Sequence, residues 1–447
     1  MKVSVVGTGY VGLVSGVCLA EKGHQVTCVD IDQAKVDRIN AGDPPIYEDG
    51  LEELLKKNVG KNLKATTDLR DAVMDSQLSL IAVGTPFDGE EIDLRFIKTV
   101  ARQIGEVLKD KDDYHVVVVK STVVPGTSDE VVLPIVEEAS GKKAGDAFGV
   151  GMNPEFLKEG EAIVDFMNPD RIVLGGTDAK TLAVMEELYA VFPDVDQLST
   201  NCKTAEMIKY TANSLLATMI SFSNEIGNLC NAVGNIDVTE VMQGVHLDKR
   251  LSPILENGDR IKPSFTSYIE AGCGFGGSCF PKDVKALNAH GIKFGVPMNL
   301  LSSVLDVNAK QPQQMLNLLD KHFPNLETVK VAVLGLAFKP GTDDMRESPA
   351  IPMVNYLVEQ KANVKAFDPI AQHEAQKLFG DSITFTDSLE AVIEDVQVIL
   401  LVTRWPQFQK LPELLAGLDP QPLLIDGRRM IAKDSVKSYE GIGLKAS

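Results

Sequence analysis

Residues 2–30 read KVSVVGTGYVGLVSGVCLAEKGHQVTCVD. Lys2 to Val6 is a short, nearly continuous apolar run, the pattern of a buried parallel strand. Gly7, Gly9 and Gly12 follow at once, Tyr10 and Val11 open a helical pattern that runs to about Glu21, and Gly23-His24 closes it. Gln25 to Val29 is a second strand that ends on Asp30. Strand, G-x-G-x-x-G, helix, strand and acid in this order form a dinucleotide fingerprint. Gly7 permits the tight turn, Gly9 lets a pyrophosphate approach, and Gly12 allows close helix packing. The helix N-terminus faces the phosphates. Asp30 is placed to accept hydrogen bonds from the adenosine ribose hydroxyls, which favours NAD over NADP, whose 2′-phosphate it would repel. Lys35 reads either as a second ribose contact or as a solvated surface lysine.

Outward from this unit the α/β alternation continues. Ser79 to Val83 is an apolar strand ending in Gly84-Thr85-Pro86, and Val116 to Val119 is another, ending in Lys120-Ser121-Thr122. Ligands of open parallel sheets lie beyond the carboxyl ends of the strands. Thr85 and Thr122 therefore fall at the expected cofactor edge, with turn capping as the bland alternative. Phe148 to Met152 delivers Asn153-Pro154-Glu155-Phe156-Leu157-Lys158-Glu159-Gly160, and Arg171 to Leu174 precedes Gly175-Gly176.

From Thr204 to Val233 apolar residues recur at helical spacing: Ala205, Ile208, Ala212, Leu215, Met219, Phe222, Ile226, Leu229 and Val233. One long helix is expected, with Thr204 as N-cap and Gly234 as the stop. Lys209 and Asn213 are four apart and share a face. Taken alone they read equally as a snorkelling lysine and a surface asparagine. Residues 251–270 hold two prolines and little periodicity, which predicts a loop. Gly274-Phe-Gly-Gly-Ser-Cys-Phe-Pro-Lys-Asp283 then sets Cys279 among small residues, with Lys282 and Asp283 behind it. Such a loop exposes a thiol and lets a ligand approach the backbone closely. A glycine-rich turn around a buried cysteine is the alternative.

Near Lys330 the α/β pattern restarts, with strands at Val331 to Leu334, Val364 to Phe367, Val396 to Val402 and Leu423 to Ile425. This second unit lacks G-x-G-x-x-G, so no dinucleotide is expected in it. Phe338, Lys339 and Arg428 fall near its strand ends, suited to stacking a base and meeting phosphate. The fold class expected is α/β, with two Rossmann-like doubly wound parallel-sheet domains joined by a long central helix.

Composition narrows the functions. The 447-residue chain is 44% hydrophobic and 24% charged, as a globular protein of more than one domain is. A net charge of −19 argues against nucleic acid as a partner. No run approaches the roughly 18 apolar residues of a membrane span. The chain opens into a glycine loop rather than a signal peptide. Six scattered cysteines with no C-x-x-C argue against a metal site and for a reducing, cytoplasmic setting.

With these residues in view, the chain resembles the nucleotide-sugar dehydrogenases of the UDP-glucose/GDP-mannose dehydrogenase family. The likeness runs end to end through G-T-G-Y-V-G (7–12), V-G-T-P (83–86), K-S-T-V (120–123), N-P-E-F-L-K-E-G (153–160), A-E-M-I-K-Y-x-x-N (205–213), G-F-G-G-S-C-F-P-K-D (274–283) and G-T-D-D-M-R-E-S (341–348). It implies an NAD domain over 1–200, a central helical and dimerisation domain over 201–312 with the cysteine loop, and a nucleotide-sugar domain over 325–447. It also implies a four-electron oxidation of the sugar's C6 alcohol to a carboxylate, with two NAD reduced and no release of the aldehyde. Cys279 would add to the aldehyde, and the resulting thiohemiacetal would give a thioester. By the same likeness Lys209 stabilises the oxyanion, and Asn213 and Thr122 position water or substrate. Glu155 is a general base, and Asp283 orients the hydrolytic water or Lys209. Tyr10, Val11, Gly84, Thr85, Pro86, Thr122, Glu159, Lys282 and Arg346 join the fingerprint as cofactor contacts. Phe156, Leu157, Phe275, Gly276, Phe338, Lys339 and Arg428 join Glu155, Lys209 and Asn213 as nucleotide-sugar contacts. Arg250 resembles an arginine supplied to a neighbouring subunit's ligand, with Arg260 as its rival.

The partner expected is a small nucleotide sugar, the cofactor NAD, and the assembly at least a homodimer. The segment between Arg250 and the glycine loop is longer than the family's usual connection. Residues 150–157 and 339–349 also suit a GDP-mannose enzyme, whereas N-P-D-R-I-V (168–173) leans to UDP-glucose. A non-catalytic nucleotide-sugar sensor and a two-electron hydroxy-acid dehydrogenase are the competing readings.

Overall fold

The computed structural model describes residues 1–445. They divide into two compact units, Met1–Ala212 and the chain from Asn213 onward. The helix Cys202–Val233 contributes its N-terminal part to the first and the remainder to the second.

The first unit is built on β1 (Lys2–Val6), β2 (Gln25–Val29), β3 (Leu63–Thr66), β4 (Leu78–Ile81), β5 (His115–Val119), β6 (Phe148–Met152), β7 (Ile172–Gly176) and β8 (Gln197–Thr200). They lie in the order β3-β2-β1-β4-β5-β6-β7-β8. The helix Tyr10–Glu21 follows β1 and buries every residue from Gly12 to Ala20. It therefore has no polar face, and its sequence shows little helical periodicity. Both faces of the sheet are covered, one by a cluster around Leu13, Val17 and Leu80 and the other by one around Ile81, Ile104 and Val119. That explains why β4 and β5 do not alternate, being apolar except for the buried Ser79 and His115, which bond to each other.

One pair departs from the all-parallel sheet expected: β7 runs antiparallel to β6. The connection between them holds only the six-residue helix Ala162–Met167. A parallel return usually runs through a crossover helix that packs back along the sheet, and six helical residues span only about 9 Å. The connection carries Asn153 to Gly160, whose last amide meets Tyr10 Oη and Glu48 beside the first βα turn.

The second unit carries β9 (Lys330–Leu334), β10 (Asn363–Phe367), β11 (Thr384–Phe385), β12 (Val398–Leu401), β13 (Leu423–Asp426) and β14 (Tyr439–Gly441). All are parallel, in the order β11-β10-β9-β12-β13-β14. Counted from its own first strand, this is the 3-2-1-4-5-6 order of the first unit's leading strands. The equivalent of Asp30 is Asp368, at the end of β10. Its carboxylate is 1% exposed and accepts from Leu336 N at 2.7 Å, Ala337 N at 3.1 Å and Trp405 Nε1 at 3.1 Å. The amides of this βα turn are thus bonded to the protein's own carboxylate.

The central helix starts two residues earlier than predicted. Asn201, not Thr204, supplies the cap, its Oδ1 accepting from Thr204 N at 2.8 Å. Gly234 closes the helix at φ +80°, as expected of a left-handed stop. Residues 251–270 are irregular apart from a 3₁₀ turn at Ser264–Tyr268 and a bridge between Ile254 and Arg260. No helix among the described residues is long and apolar enough to cross a membrane.

Candidate functional site

At the first βα turn, Gly7 has φ +100°, and a Cβ on it would lie 2.7 Å from the Ala82 carbonyl oxygen. A Cβ on Gly12 would lie 1.9 Å from the Gly7 carbonyl oxygen. Both glycines are therefore obligatory. Gly9 is exposed, and a Cβ on it would meet nothing within 4 Å. The open space lies where a pyrophosphate is expected, and the N-cap of the following helix has no side-chain hydrogen bond. Asp30 Oδ2 accepts from Thr8 N at 3.0 Å and Thr8 Oγ1 at 2.5 Å, and Lys35 Nζ stands 4.0 Å away. Burial raises the Asp30 carboxyl, but the Thr8 and Asp32 donors and Lys35 outweigh it and hold it below the usual range. An ionised Asp30 with acceptor capacity left, beside an open glycine cradle, fits an NAD ribose and pyrophosphate. Thr85 Oγ1 donates to the Thr122 carbonyl at 2.8 Å, which ties the ends of β4 and β5, while Gly84 and Pro86 stand exposed beside it.

Sequence reasoning missed Glu48. Its carboxylate accepts from Tyr10 Oη, from Gly160 N at 2.7 Å and from Ala162 N at 2.7 Å. It thereby holds the turn carrying Glu159 against the glycine fingerprint. Nothing local in Pro-Ile-Tyr-Glu-Asp signals this, because its partners are remote in sequence.

Beyond β6 the side chains of Glu155 and Lys209 form an ion pair at 3.0 Å, with side-chain exposures of 6% and 3%. Burial alone would raise Glu155. The Lys209 ammonium, the Leu157 amide at 2.6 Å and Lys120 reverse that, so its carboxyl sits below the ordinary range. Lys120 is also buried and donates to Asn153 Oδ1 at 2.7 Å. Burial lowers Lys120 to about 8, opposed by Glu155 and aided by Lys209. Lys120 and Asn153 follow directly on β5 and β6, and that position at strand ends is the only sign of them in the sequence. The Phe156 ring packs beneath the Arg171 guanidinium, 3.8 Å from its centroid. Three residues before Lys209, Glu206 accepts from Gly126 N, Ser128 N and Ser128 Oγ at 2.6 to 2.8 Å.

In the second unit Cys279 is half-buried and is the N-cap of the fourteen-residue helix Phe280–Lys293. A helix N-terminus favours a thiolate. Ser278 Oγ is 3.6 Å from its sulfur. Asp283, on the first turn, is 1% exposed, accepts from Asn213 Nδ2 at 2.6 Å and pairs with Lys282 Nζ at 2.5 Å. The other five cysteines are buried. The glycines before Cys279 are needed for close approach. A Cβ on Gly276 would lie 2.2 Å from the Glu347 carbonyl oxygen, and one on Gly277 would lie 2.7 Å from the Phe338 ring. Phe338 thus packs on the cysteine loop, with Lys339 Nζ 5.9 Å from its ring centroid. The Phe275 ring meets Phe280 edge-on. Arg346 is paired with Asp344 at 2.8 Å, and its carbonyl accepts from Gly277 N. Arg428 directs Nε to the Val402 carbonyl at 2.6 Å and Nη1 to the Gly274 carbonyl at 3.2 Å. It braces the loop, and only its remaining donors are left for the phosphate contact expected. Arg250 is 88% exposed in its side chain and paired with Asp248. Arg260 Nη1 donates to the Leu247 and Ser252 carbonyls.

The expected residues thus fall into two sets, one in each unit. The central helix carries a member of each, Lys209 and Asn213, one turn apart. Three family models match the chain: the UDP-glucose/GDP-mannose dehydrogenase family NAD binding domain over 1–193, its central domain over 203–310 and its UDP binding domain over 332–433. The chain is 42% identical to the UDP-glucose 6-dehydrogenase TuaD of Bacillus subtilis, over all of this chain and 94% of that protein. It is also 42% identical to a GDP-mannose 6-dehydrogenase of Pseudomonas savastanoi pv. phaseolicola, over 92% of this chain and 93% of that protein. A solved UDP-glucose dehydrogenase from Pyrobaculum islandicum superposes with TM-score 0.89 at 38% identity, covering 99% of this chain and 98% of that one.

Proposed function

The chain belongs to the UDP-glucose/GDP-mannose dehydrogenase family of NAD-dependent nucleotide-sugar dehydrogenases, and from that premise we propose that it oxidises UDP-glucose to UDP-glucuronate through a thioester on Cys279. The observation that carries this reading is Cys279 at a helix N-terminus, with Asp283 one turn behind it. A simple alcohol dehydrogenase has no use for such a thiol.

Bound NAD supplies the hydride acceptor for each oxidation. Glu155, ionised beside Lys209, is suited to take the C6 hydroxyl proton directly or through water. The aldehyde carbon left by the first hydride loss is attacked by the Cys279 thiolate, which forms the C–S bond. Lys209 neutralises the oxyanion, while Asn213 and Thr122 hold substrate and water. A second hydride loss converts the thiohemiacetal to a thioester. Water, oriented by Asp283, then cleaves the C–S bond and returns the thiolate. The sum is CH₂OH + H₂O → COO⁻, with two hydrides and three protons released. A non-catalytic sensor would have no need of Cys279, Lys209 and Asp283 together.

For the substrate, N-P-D-R-I-V at 168–173 and the match of 332–433 to a UDP binding domain favour a uridine nucleotide. GDP-mannose is the second reading, because a GDP-mannose enzyme is equally similar in identity. Arg250 fits an arginine offered to a neighbouring subunit better than Arg260, since it is exposed whereas Arg260 braces its own loop. Turnover of UDP-glucose, GDP-mannose and UDP-galactose in parallel, with NADH counted per sugar, tests the proposal. Two NADH and one uronate per UDP-glucose are expected. One NADH per sugar without uronate would remove the thioester, and preference for GDP-mannose would move the substrate.

A further inference from the structure

The chain leading into Cys279 is held by amide side chains. Asn308, on the helix Asn299–His322, accepts from Phe275 N at 2.8 Å through Oδ1 and donates to the Phe275 carbonyl at 2.9 Å through Nδ2. Three residues on, Gln311 Nε2 donates to the Gly272 carbonyl at 2.8 Å, and Asn224 accepts from Gly272 N at 2.7 Å. The Gln311 and Asn224 side chains are fully buried. Gly274 lies between the two pinned residues at φ +96°, and a Cβ on it would come within 2.9 Å of Asn308 Oδ1. Loop and carboxamide are fitted to each other.

This anchorage matters because the loop cannot define itself. Gly274, Gly276 and Gly277 leave it more backbone freedom than other residues would, so it has more conformations to lose on ordering. After Phe275 only four residues, ending at Cys279, precede the helix that begins at Phe280. An error in the register of Phe275 therefore passes directly to the sulfur. Misplacement of a reacting group by about 1 Å can cost on the order of a hundredfold in rate. Asn308 is only half-buried, and the helix that bears it is seated by Leu301, Val304, Met315 and Leu319. The fold does not depend on Asn308 as it depends on them.

We propose that Asn308 is a positioning residue for Cys279: by closing both backbone hydrogen bonds of Phe275 it sets the register in which the glycine loop presents the thiol to the aldehyde. The proposal rests on the two-step reaction argued above. Its signature is uncoupling. A displaced thiol still permits the first hydride loss but captures the aldehyde poorly.

The test compares Asn308→Ala and Asn308→Asp with the unaltered enzyme. Asp keeps the acceptor for Phe275 N and loses the donor to its carbonyl. Turnover of UDP-glucose with hydroxylamine present is followed for NADH per sugar consumed and for trapped oxime. In a second arm without sugar or NAD, the iodoacetamide labelling rate of Cys279 is read by mass spectrometry. The expected result is a fall from two NADH per sugar toward one, oxime in proportion, uronate formation slower by about tenfold or more, and a labelling rate changed at least several-fold. Two NADH per sugar with no oxime and unchanged labelling in both variants overturns the proposal, whatever the rate. So does loss of the folded chain in both, which would make Asn308 a fold residue. If the unaltered enzyme itself makes no NADH, the dehydrogenase reading fails, and the labelling arm still decides whether Asn308 holds the thiol.

Discussion

Cys279 is the one cysteine of six that is not buried. Its place at the N-terminus of Phe280–Lys293 ties its reactivity to the helix it caps. Cys279→Ser leaves the loop's backbone bonds to Asn308, Arg346 and Arg428 intact, because none of them uses the sulfur. The variant is expected to lose uronate formation by at least about a thousandfold, since a hydroxyl is far less ionised than a thiol at neutral pH, while NAD affinity stays within about twofold. Isothermal titration with NAD and a uronate assay check this, and unchanged turnover removes Cys279 from the chemistry. The motif around Cys279 was legible because the glycines and the cysteine are contiguous. Asn308 was not, because an asparagine on a helix face looks the same whether it meets water or a backbone 33 residues away.

The central helix shows what an element adds. Its apolar periodicity was plain in the sequence, but which apolar residues are buried was not. Leu215, Phe222 and Leu229 recur every seven residues and are 54%, 52% and 58% exposed. Such a stripe suits a second copy of the chain. Phe222→Glu is expected to shift the enzyme to a lower-mass species in light scattering, and an unchanged mass would assign the contact elsewhere. At the other end of the helix, Glu206 holds the turn after Thr122. Burial raises its carboxyl to about 7, against the Ser128 and Gly126 donors. The folded chain thus keeps this proton up to about pH 7, whereas the unfolded chain releases it near 4.5. Between these values the native state binds more protons, so its stability falls as pH rises, by up to about 3 kcal/mol, and levels off above. Glu206→Gln removes that slope. Urea unfolding at pH 5 and pH 7.5 is expected to differ less in the variant, and an equal difference in both proteins would acquit Glu206.

At the scale of the molecule the chain contains two doubly wound units with the same leading strand order, only one of which carries an open fingerprint. In the first, Asp30 binds Thr8 and leaves the space at Gly9 clear. In the second, Asp368 fills the equivalent turn by accepting from Leu336 N, Ala337 N and Trp405 Nε1. One NAD per chain is therefore expected in titration calorimetry. Asp368→Ala should lower the melting temperature of the second unit, because it orphans these buried donors at about 1–3 kcal/mol each, while NAD affinity is kept. A stoichiometry of two would mean that the second turn is open after all.

The sequence by itself determined the fold class, the NAD fingerprint and the family, because each is written in contiguous residues whose spacing matches the period of a strand, a turn or a helix. Tertiary structure alone decided that β7 runs back along β6, that Glu48 ties the Gly160 turn to Tyr10, that Lys209 pairs with Glu155, and that Asn308 grips Phe275. These are contacts between residues far apart in the chain. A buried polar group must find a partner, but its own neighbours in sequence do not say which partner the fold will bring.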